Sequence, residues 1–385
     1  MPQPPSLALY VHVPWCVKKC PYCDFNSHGL KGRLPEAEYV AALLADLDAD
    51  LAQFADGLEA RTVDTVFFGG GTPSLFAPAA IGTVLDGVAA RLRLAPDAEV
   101  TLETNPGTVE HGRFRDYRAA GVNRVSLGVQ SFDDAALVRI GRIHGAEEAR
   151  RAVRLAQDDG IDNINLDLMY ALPGQDEAGA LRDVAEAFAL EPQHLSHYQL
   201  TLEPNTLFAA RPPKLPDDDD AWAMQERCQA ALADAGYAQY EVSAYARPDR
   251  QCRHNLNYWR FGDYLGIGAG AHGKLTTTDG AIRRTWKHKH PERYLASAGS
   301  ADRLGGDELV PAEQRPFEYL LNALRLNEGF SLGAFEARSG LPSARIAREL
   351  ERCERKGWLE REQDLVRPTE LGRRFLNDVM AEFLP

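Results

Sequence analysis

The sequence predicts an α/β fold in which a partial TIM-type (β/α)6 barrel is followed by a C-terminal α+β domain of winged-helix type. Three observations lead to this prediction. Six short apolar segments alternate with segments of helical periodicity in residues 1–210, the pattern of a parallel sheet covered by helices. Six units are fewer than the eight of a closed barrel. From about residue 311 onward, the pattern changes to helices followed by a hairpin.

Six segments rich in Val, Leu and Phe, and mostly bounded by Gly, Pro or Asn, are the predicted strands. They are residues 7–13, 62–68, 99–103, 123–130, 162–169 and 194–202. Helical spacing of apolar residues predicts helices at 36–54, 79–92, 109–120, 146–159 and 177–190. Helix starts are predicted at Pro35, at Pro78 and at Asp133 with Asp134.

The chain divides into three predicted domains: the barrel at residues 1–210, a barrel extension that carries a further motif at 211–305, and the winged-helix-like domain at 306–385. The Pro- and Asp-rich residues 212–220 are interpreted as a solvated linker or the start of a helix. A helix at 221–235 precedes short strands and loops. In the last domain, helices are predicted at 317–326, 332–339 and 343–356, a hairpin at 358–368 and a final helix from Glu370.

Composition narrows the classes of function. The 385 residues carry a formal net charge of -13, with 44% hydrophobic and 26% charged residues. Such an acidic globular chain is not expected to bind nucleic acid or an anionic membrane surface, because both need clustered Lys and Arg. It has no apolar run of about eighteen residues, the length that a membrane-spanning helix needs. A signal peptide begins with a positively charged region, but here no Lys or Arg precedes Lys18. We therefore expect a cytoplasmic protein without an integral membrane segment.

Three of the six cysteines, Cys16, Cys20 and Cys23, have the spacing C-x3-C-x2-C. In a reducing compartment this indicates metal binding or catalysis rather than a disulfide. Thiolates are the ligands of iron–sulfur clusters, and three of them bind three irons of a four-iron cluster and leave the fourth open. A zinc site is the alternative, but it needs a fourth ligand from a distant part of the chain. The other cysteines are isolated: Cys228, Cys252 and Cys353.

The segment from Tyr10 to Cys23, YVHVPWCVKKCPYC, resembles the cluster loop of the radical S-adenosylmethionine (SAM) superfamily. The resemblance implies a [4Fe–4S] cluster held by the three cysteines, with the amino and carboxylate groups of SAM on the open iron. It also implies an electron donor for the cluster and cleavage of SAM to a 5′-deoxyadenosyl radical. Tyr22, before the third cysteine, fits this pattern and fits equally well a packing residue beside the cluster.

Further motifs of the superfamily follow the cysteine loop. The sequence GGGTP at residues 69–73 comes after the second predicted strand, where glycine lets backbone approach a ligand; a tight turn explains it equally well. Polar residues end the later strands, and the ends of parallel strands converge on one mouth. The resemblance assigns the amino group of SAM to the glycine loop and the ribose and carboxylate to the later residues. The predicted SAM residues are Tyr10, Tyr22, Gly70, Gly71, Thr72, Glu103, Gln130, Arg142 and Asp167.

A second glycine-rich segment, GIGAG at residues 266–270, lacks the glycine spacing and the βαβ context of a dinucleotide-binding loop. It is not expected to bind a nucleotide cofactor. We interpret it as a loop near the barrel mouth.

Over its whole length, the chain resembles the oxygen-independent coproporphyrinogen III oxidase group of this superfamily. The dehydrogenase branch has a fourth cysteine two residues after the third and a longer N-terminal extension; here Phe25 takes that position, and nine residues precede Tyr10. The haem-chaperone branch, HemW, has a His-Asn-x-x-Tyr-Trp motif, present here from His254 to Trp259. Resemblance to HemW implies that haem is bound and transferred to haem-accepting proteins, respiratory ones among the candidates. The alternative is SAM-dependent oxidative decarboxylation of coproporphyrinogen III to protoporphyrinogen IX in haem biosynthesis.

The haem motif consists of His254, Asn255, Tyr258 and Trp259. Histidine suits an axial haem ligand and the aromatic rings suit stacking on a porphyrin, but a hydrogen-bonded histidine in an aromatic corner is an equally good interpretation. Other candidate ligands are His12, His197, His272 and Cys252. A nearby basic run suits haem propionates, although a solvated face is the commoner role of such a run. It consists of Arg283, Arg284, Lys287 and Lys289.

The predicted winged-helix-like domain raises DNA binding as a third interpretation. Its candidate recognition helix at 343–356 mixes Arg with Glu at ion-pairing spacing, which is typical of a solvated surface helix. Together with the acidic net charge, this favours a lid or a protein-docking surface over a nucleic-acid interface.

Overall fold

A computed structural model describes residues 5–58, 61–108 and 113–384. The helix predicted at 109–120 begins at residues that lie outside these ranges, and its described part is the helix Arg113–Ala119. Within the described ranges, no helix is both long enough and apolar enough to cross a lipid bilayer.

Six parallel strands lie side by side in chain order and form the partial barrel that the sequence predicts. Their apolar side chains are mostly buried, as expected when helices cover a parallel sheet. The strands are Leu7–Val13, Thr62–Gly70, Arg93–Thr104, Arg124–Gln130, Ile164–Tyr170 and His194–Gln199.

A seventh parallel strand, Asp263–Ile267, pairs with Leu7–Val13 on the side away from the other five. Residues 266–270 were predicted to form a loop, and this prediction is wrong for Gly266 and Ile267, which lie in the strand. The backbone of His272 passes so close to Gly266 that a Cβ there would collide with the His272 carbonyl oxygen. Glycine at this position therefore allows close packing of the sheet, which explains a glycine inside a strand.

Antiparallel strands extend both edges of the parallel sheet to a total of twelve strands. Beside the sixth strand lie Ala244–Ala246 and Ala238–Glu241. Beyond the seventh strand the order is His272–Thr276, Ile282–Lys287 and Leu304–Leu309. The strands between residues 238 and 309 thus widen the barrel sheet and do not form a sheet of their own.

Helices pack against the sheet in one continuous hydrophobic core. The carboxylates of Asp133, Asp176 and Asp217 accept hydrogen bonds from backbone N–H groups at three helix starts. The acidic run of residues 217–220 is therefore a helix start. Its negative carboxylates also interact favourably with the positive end of the helix dipole. The helices of this part are Glu36–Gln53, Ala55–Leu58, Pro78–Ala89, Arg113–Ala119, Asp134–Arg139, Ala146–Asp158, Glu177–Ala189, Leu207–Ala210 and Asp218–Asp234.

A buried ion-pair cluster fastens the extension to the first helix of the barrel. The ammonium of Lys287 lies 2.7 Å from the Asp46 carboxylate and 2.6 Å from that of Asp50. Arg303 also contacts Asp50, at 2.8 Å. Lys287 was predicted to face solvent or to pair with a propionate, and both interpretations are wrong, because its side chain is buried and neutralised inside the protein.

The C-terminal part has a second hydrophobic core, to which Phe261 and Ile282 of the widened sheet also belong. The predicted helix 343–356 is shorter in the structure, because Ser343–Arg345 forms a 3-10 turn and Ile346 departs from helical geometry (φ -115°, ψ 2°). Two helices belong to the barrel extension, Arg253–Trp259 and Pro291–Ser297. The helices of the C-terminal part are Arg315–Ala323, Leu332–Ser339, Ala347–Arg355, Glu370–Arg374 and Leu376–Ala381. Phe330–Ser331, Leu359–Glu362 and Leu365–Pro368 form a three-stranded sheet.

Candidate functional site

The carboxyl ends of the barrel strands meet the three-cysteine loop at a cavity of about 140 Å³. Two short parallel segments, Trp15–Cys16 and His28–Gly29, fix the two ends of this loop. The loop cysteines line the cavity together with every predicted SAM residue except Tyr10. These residues are Cys16, Cys20, Tyr22, Cys23, Gly70, Gly71, Thr72, Glu103, Gln130, Arg142 and Asp167.

The three loop thiols are partly buried and face the same cavity. Burial raises the pKa of the Cys16 and Cys23 thiols. Nη1 of Arg142 donates a hydrogen bond to Sγ of Cys20 at 3.5 Å. Three thiols that line one cavity beside a guanidinium fit the donor set of a [4Fe–4S] cluster with an open iron.

The glycine loop is pressed against the cysteine loop. The N–H groups of Gly71 and Thr72 donate to the carbonyls of Val13 and Trp15, both at 2.7 Å. A Cβ on Gly71 would lie 2.5 Å from the Trp15 carbonyl oxygen, which is too close for any side chain. Glycine is therefore required here for the approach of two backbone segments, and the loop is more than a tight turn.

Polar side chains at the strand ends hold one another in place around the cavity. Tyr198 donates to Oε1 of Gln130 at 2.8 Å, and Nη2 of Arg142 donates to the Gly128 carbonyl at 2.6 Å. Asp167 accepts a hydrogen bond from Ser126 at 3.2 Å. The result is a pre-ordered ring of donors and acceptors that suits the hydroxyl and carboxylate groups of a small polar ligand.

Ser126 and Tyr198 line the cavity as well, and the sequence analysis missed both. Ser126 lies within the fourth strand, and Tyr198 lies next to the end of the sixth. The rule that assigned Gln130 and Asp167 also applies to Tyr198, because it is a polar residue at the carboxyl end of a barrel strand.

A larger cavity of about 430 Å³ lies next to the first and shares Phe25, Gly70 and Glu103 with it. Much of its wall is aromatic: Tyr10, Phe25, Tyr258, Trp259, Phe261 and Tyr264. Its imidazole and basic side chains are His12, His272, Lys274, Arg284 and Lys289. The structure thus brings two residues of the predicted haem motif, Tyr258 and Trp259, to the side of the cysteine loop.

Comparison with known proteins decides the family. Residues 10–186 match the Radical SAM superfamily, and residues 310–375 match the HemN C-terminal domain. The chain is 53% identical over 380 residues to the heme chaperone HemW of Escherichia coli strain K12, an alignment that covers 99% of this chain and 98% of the relative. The chain belongs to the HemW family. The Haemophilus influenzae HemW is 48% identical over 384 residues, which cover 100% of this chain and 99% of the relative.

The HemW fold is also that of a solved structure of coproporphyrinogen III oxidase, HemN, from Escherichia coli. The TM-score is 0.82 over 99% of this chain and 90% of that chain, at 22% sequence identity. The likeness confirms the predicted α/β fold with a C-terminal domain. Membership in the radical SAM superfamily also implies a [4Fe–4S] cluster and SAM, and the thiols and polar ring of the smaller cavity fit these two groups.

The histidine of the HemW motif lies behind the wall of the larger cavity. His254 is 1% exposed; its Nδ1 bonds Thr65 Oγ1 at 2.8 Å and its Nε2 bonds the Tyr258 hydroxyl at 2.9 Å. Burial lowers its pKa to about 3. Because both ring nitrogens are occupied, the geometry favours a hydrogen-bonded histidine in an aromatic corner over an axial ligand. Asn255 is not part of the cavity wall either.

The other candidate haem ligands differ in accessibility. Cys252 is buried, and its thiol donates to the Glu99 carboxylate at 3.7 Å. His197 is buried against the Tyr170 ring and faces a different cavity. His12 bonds Tyr10 and the Asn26 carbonyl through its two ring nitrogens. Only His272 of this set is solvent-exposed in the described residues.

The basic run of residues 283–289 is mostly neutralised inside the protein. Arg283 pairs with Asp307 at 2.9 Å, and Arg284 pairs with Glu318. Lys289 is exposed and has no ion-pair partner among the residues that the structure describes. The run is therefore not a continuous solvated face, because three of its four basic side chains pair with separate carboxylates.

Burial raises the pKa of the Glu103 carboxyl to about 8, and the charge of Asp167 adds to this effect. The folded chain therefore retains a proton that the unfolded chain releases between pH 4.5 and about 8, so this group makes the protein less stable as pH rises through that window. We expect Glu103→Gln to gain a few kcal/mol of unfolding free energy relative to wild type between these limits. Urea unfolding without SAM at several pH values measures this. Exposed Glu38→Gln should leave the pH dependence as it is in wild type, and parallel curves for wild type and Glu103→Gln would contradict a raised pKa.

Proposed function

We propose that this protein is a haem chaperone of the radical SAM type, which binds a [4Fe–4S] cluster, SAM and haem and transfers haem to acceptor proteins. One observation carries the proposal: full-length identity of 53% with a curated heme chaperone, HemW. The aromatic-lined cavity of about 430 Å³ beside the cysteine loop supports it, because aromatic rings stack well on a porphyrin. We place the protein in the cytoplasm, where thiols stay reduced.

The residues of the smaller cavity divide the binding of the cluster and SAM between them. Cys16, Cys20 and Cys23 hold the cluster, and the backbone at Gly70 and Gly71 lets the amino acid part of SAM approach it. The remaining polar ring binds the ribose and carboxylate. Its predicted members are Tyr22, Thr72, Glu103, Gln130, Arg142 and Asp167. When reduced by an electron donor, the bound cluster would supply the electron for reductive cleavage of SAM.

Tyr10 is assigned to the interface between SAM and the larger cavity. Its hydroxyl lies 3.0 Å from Nδ1 of His12, and its ring packs against Phe67. Because Tyr10 lines only the larger cavity, we propose that it separates the bound SAM from haem instead of contacting the cluster.

The runner-up function is oxidative decarboxylation of coproporphyrinogen III, and Phe25 argues against it. This residue stands where the dehydrogenase branch carries its fourth cysteine, and it is 58% exposed at the border of both cavities. A phenyl ring there offers a stacking surface and no thiolate. We infer that the larger cavity binds a finished porphyrin and does not decarboxylate a precursor.

An anaerobic assay tests the proposal. The protein with reconstituted cluster is given coproporphyrinogen III, SAM and a reductant, and in a parallel sample it is given haem and then an apo-haem protein. We expect stoichiometric haem binding, transfer of haem to the acceptor, and no protoporphyrinogen. Multiple turnovers to protoporphyrinogen IX would overturn the chaperone assignment.

The C-terminal domain is proposed to be a lid or a docking surface for proteins. Its helix Ala347–Arg355 carries ion pairs, among them Arg352 with Glu349 at 3.4 Å and with Glu382 at 2.9 Å. An arginine engaged with two carboxylates contributes little to phosphate binding. This supports the expectation that the domain does not bind nucleic acid.

A further inference from the structure

The larger cavity contains an imidazole that the haem motif does not include. His272 begins the strand His272–Thr276 and lines the cavity together with the cysteine loop residues Phe25 and Asn26. Its ring stacks on Trp286 of the neighbouring strand, with centroids 6.2 Å apart and planes inclined by 25°. A histidine on a paired strand and against an indole has a restricted orientation, which suits a ligand to a metal.

His272 differs from the other histidine of this cavity in its hydrogen bonds. His12 has both ring nitrogens occupied, by the Tyr10 hydroxyl at 3.0 Å and by the Asn26 carbonyl at 2.8 Å. In the described part of the chain, neither ring nitrogen of His272 has a hydrogen-bond partner, although its ring is solvent-exposed at the cavity. The motif residue His254 is bonded at both nitrogens and shielded by Tyr258.

Resting on the proposed chaperone function, we propose that haem binds in the cavity of about 430 Å³ with His272 as an axial ligand of its iron and Lys289 as the partner of a propionate. The motif aromatics Tyr258 and Trp259 then contact the macrocycle, and His254 positions Tyr258 through the 2.9 Å hydrogen bond to its hydroxyl. This assigns the two parts of the motif different roles: aromatic contact to Tyr258 and Trp259, and positioning to His254.

The charges around His272 suit iron and carboxylate ligands. Partial burial at the cavity, followed by the charges of Lys289 and Arg284, lowers the pKa of His272, so the ring is neutral at physiological pH and keeps the lone pair that iron needs. Arg284 is already paired with Glu318 and donates to the Tyr264 hydroxyl at 2.9 Å. Lys289 is exposed and has no carboxylate partner in the described ranges, which leaves its ammonium for a propionate.

The test is a haem titration of the full chain with wild type, His272→Ala and His290→Ala. His290 is the matched control, because it is also an exposed histidine but does not line the cavity. Its ring lies edge-to-face against the ring of His28. We expect His272→Ala to bind ferric haem at least about tenfold more weakly and to lose the absorbance and electron paramagnetic resonance signals of an imidazole-ligated iron. Free imidazole should restore the ligation signals. Binding of metal-free protoporphyrin should stay unchanged, because it uses the aromatic wall and Lys289 and has no iron for His272 to ligate.

The outcomes separate the two proposals. If wild type does not bind haem, the chaperone function itself fails, and the ligand assignment fails with it. If wild type binds haem and His272→Ala gives the same titration and spectra, only the assignment of His272 is overturned. Equal losses in His290→Ala, or equal losses of metal-free protoporphyrin in His272→Ala, would also overturn it. Thermal unfolding of each variant shows whether the chain is folded, and His272→Gln repeats the test with a side chain that keeps more of the volume.

Discussion

Replacing Cys16, Cys20 or Cys23 with Ser is expected to reduce the cluster iron from about four atoms per chain to nearly none. In the proposed cluster each thiolate holds one iron, and the other cysteines cannot replace it: Cys228, Cys252 and Cys353 are at most 1% exposed and do not line the cavity. A serine hydroxyl is too weak an acid to replace a thiolate at neutral pH. Iron and sulfide analysis after anaerobic reconstitution, with the charge-transfer absorbance of the cluster, measures the loss.

Cys228→Ser is the matched control for these variants, because Cys228 is a buried cysteine of the helix Asp218–Asp234 and belongs to the hydrophobic core. It should retain full iron content in the folded fraction. If all three loop variants keep the iron content and the absorbance of wild type, the cluster is not held by this loop.

Replacing Asp263 with Asn is expected to lower the free energy of unfolding by about 3–5 kcal/mol. Asp263 is completely buried in the seventh parallel strand and pairs with Arg61 at 2.9 Å and with Lys274 at 2.8 Å. Although burial raises its pKa, the two cations outweigh burial and hold the pKa of this carboxyl below its ordinary value. The amide would leave both cations buried without a counter-charge, which is the costly case.

Urea unfolding measures this loss, and Asp48→Asn is its control. Asp48 also pairs with an arginine, Arg91 at 2.6 Å, but its side chain is 55% exposed, so the pair is worth less than about 1 kcal/mol. Because the pKa of Asp263 is lowered, its contribution is present above pH 3.8 and is lost as pH falls through the folded value. Equal midpoints for Asp263→Asn and wild type would show that the buried pair is not a source of stability.

The cysteine loop and the strand ends were predictable because their signals are local. A C-x3-C-x2-C spacing needs no partner elsewhere in the chain, and six strands in chain order place their carboxyl ends at one mouth. Every predicted cluster residue and all predicted SAM residues but Tyr10 therefore line one cavity. Tyr10 lies at the larger cavity instead, where it contacts His12 of its own strand and Phe67 of the neighbouring strand, and the sequence does not specify the contact between two strands.

The sequence by itself determined the α/β class, the six barrel strands, the cysteine loop and the resemblance to HemW. The tertiary structure alone decided which histidine faces a cavity, which residues of the basic run are neutralised, and that Asp263–Ile267 is a seventh strand. The physical reason is that burial and pairing join residues far apart in the chain, such as Thr65 with His254 and Asp46 with Lys287. Such partners determine the accessibility and the charge of a side chain, whereas a sequence motif specifies only the residue types.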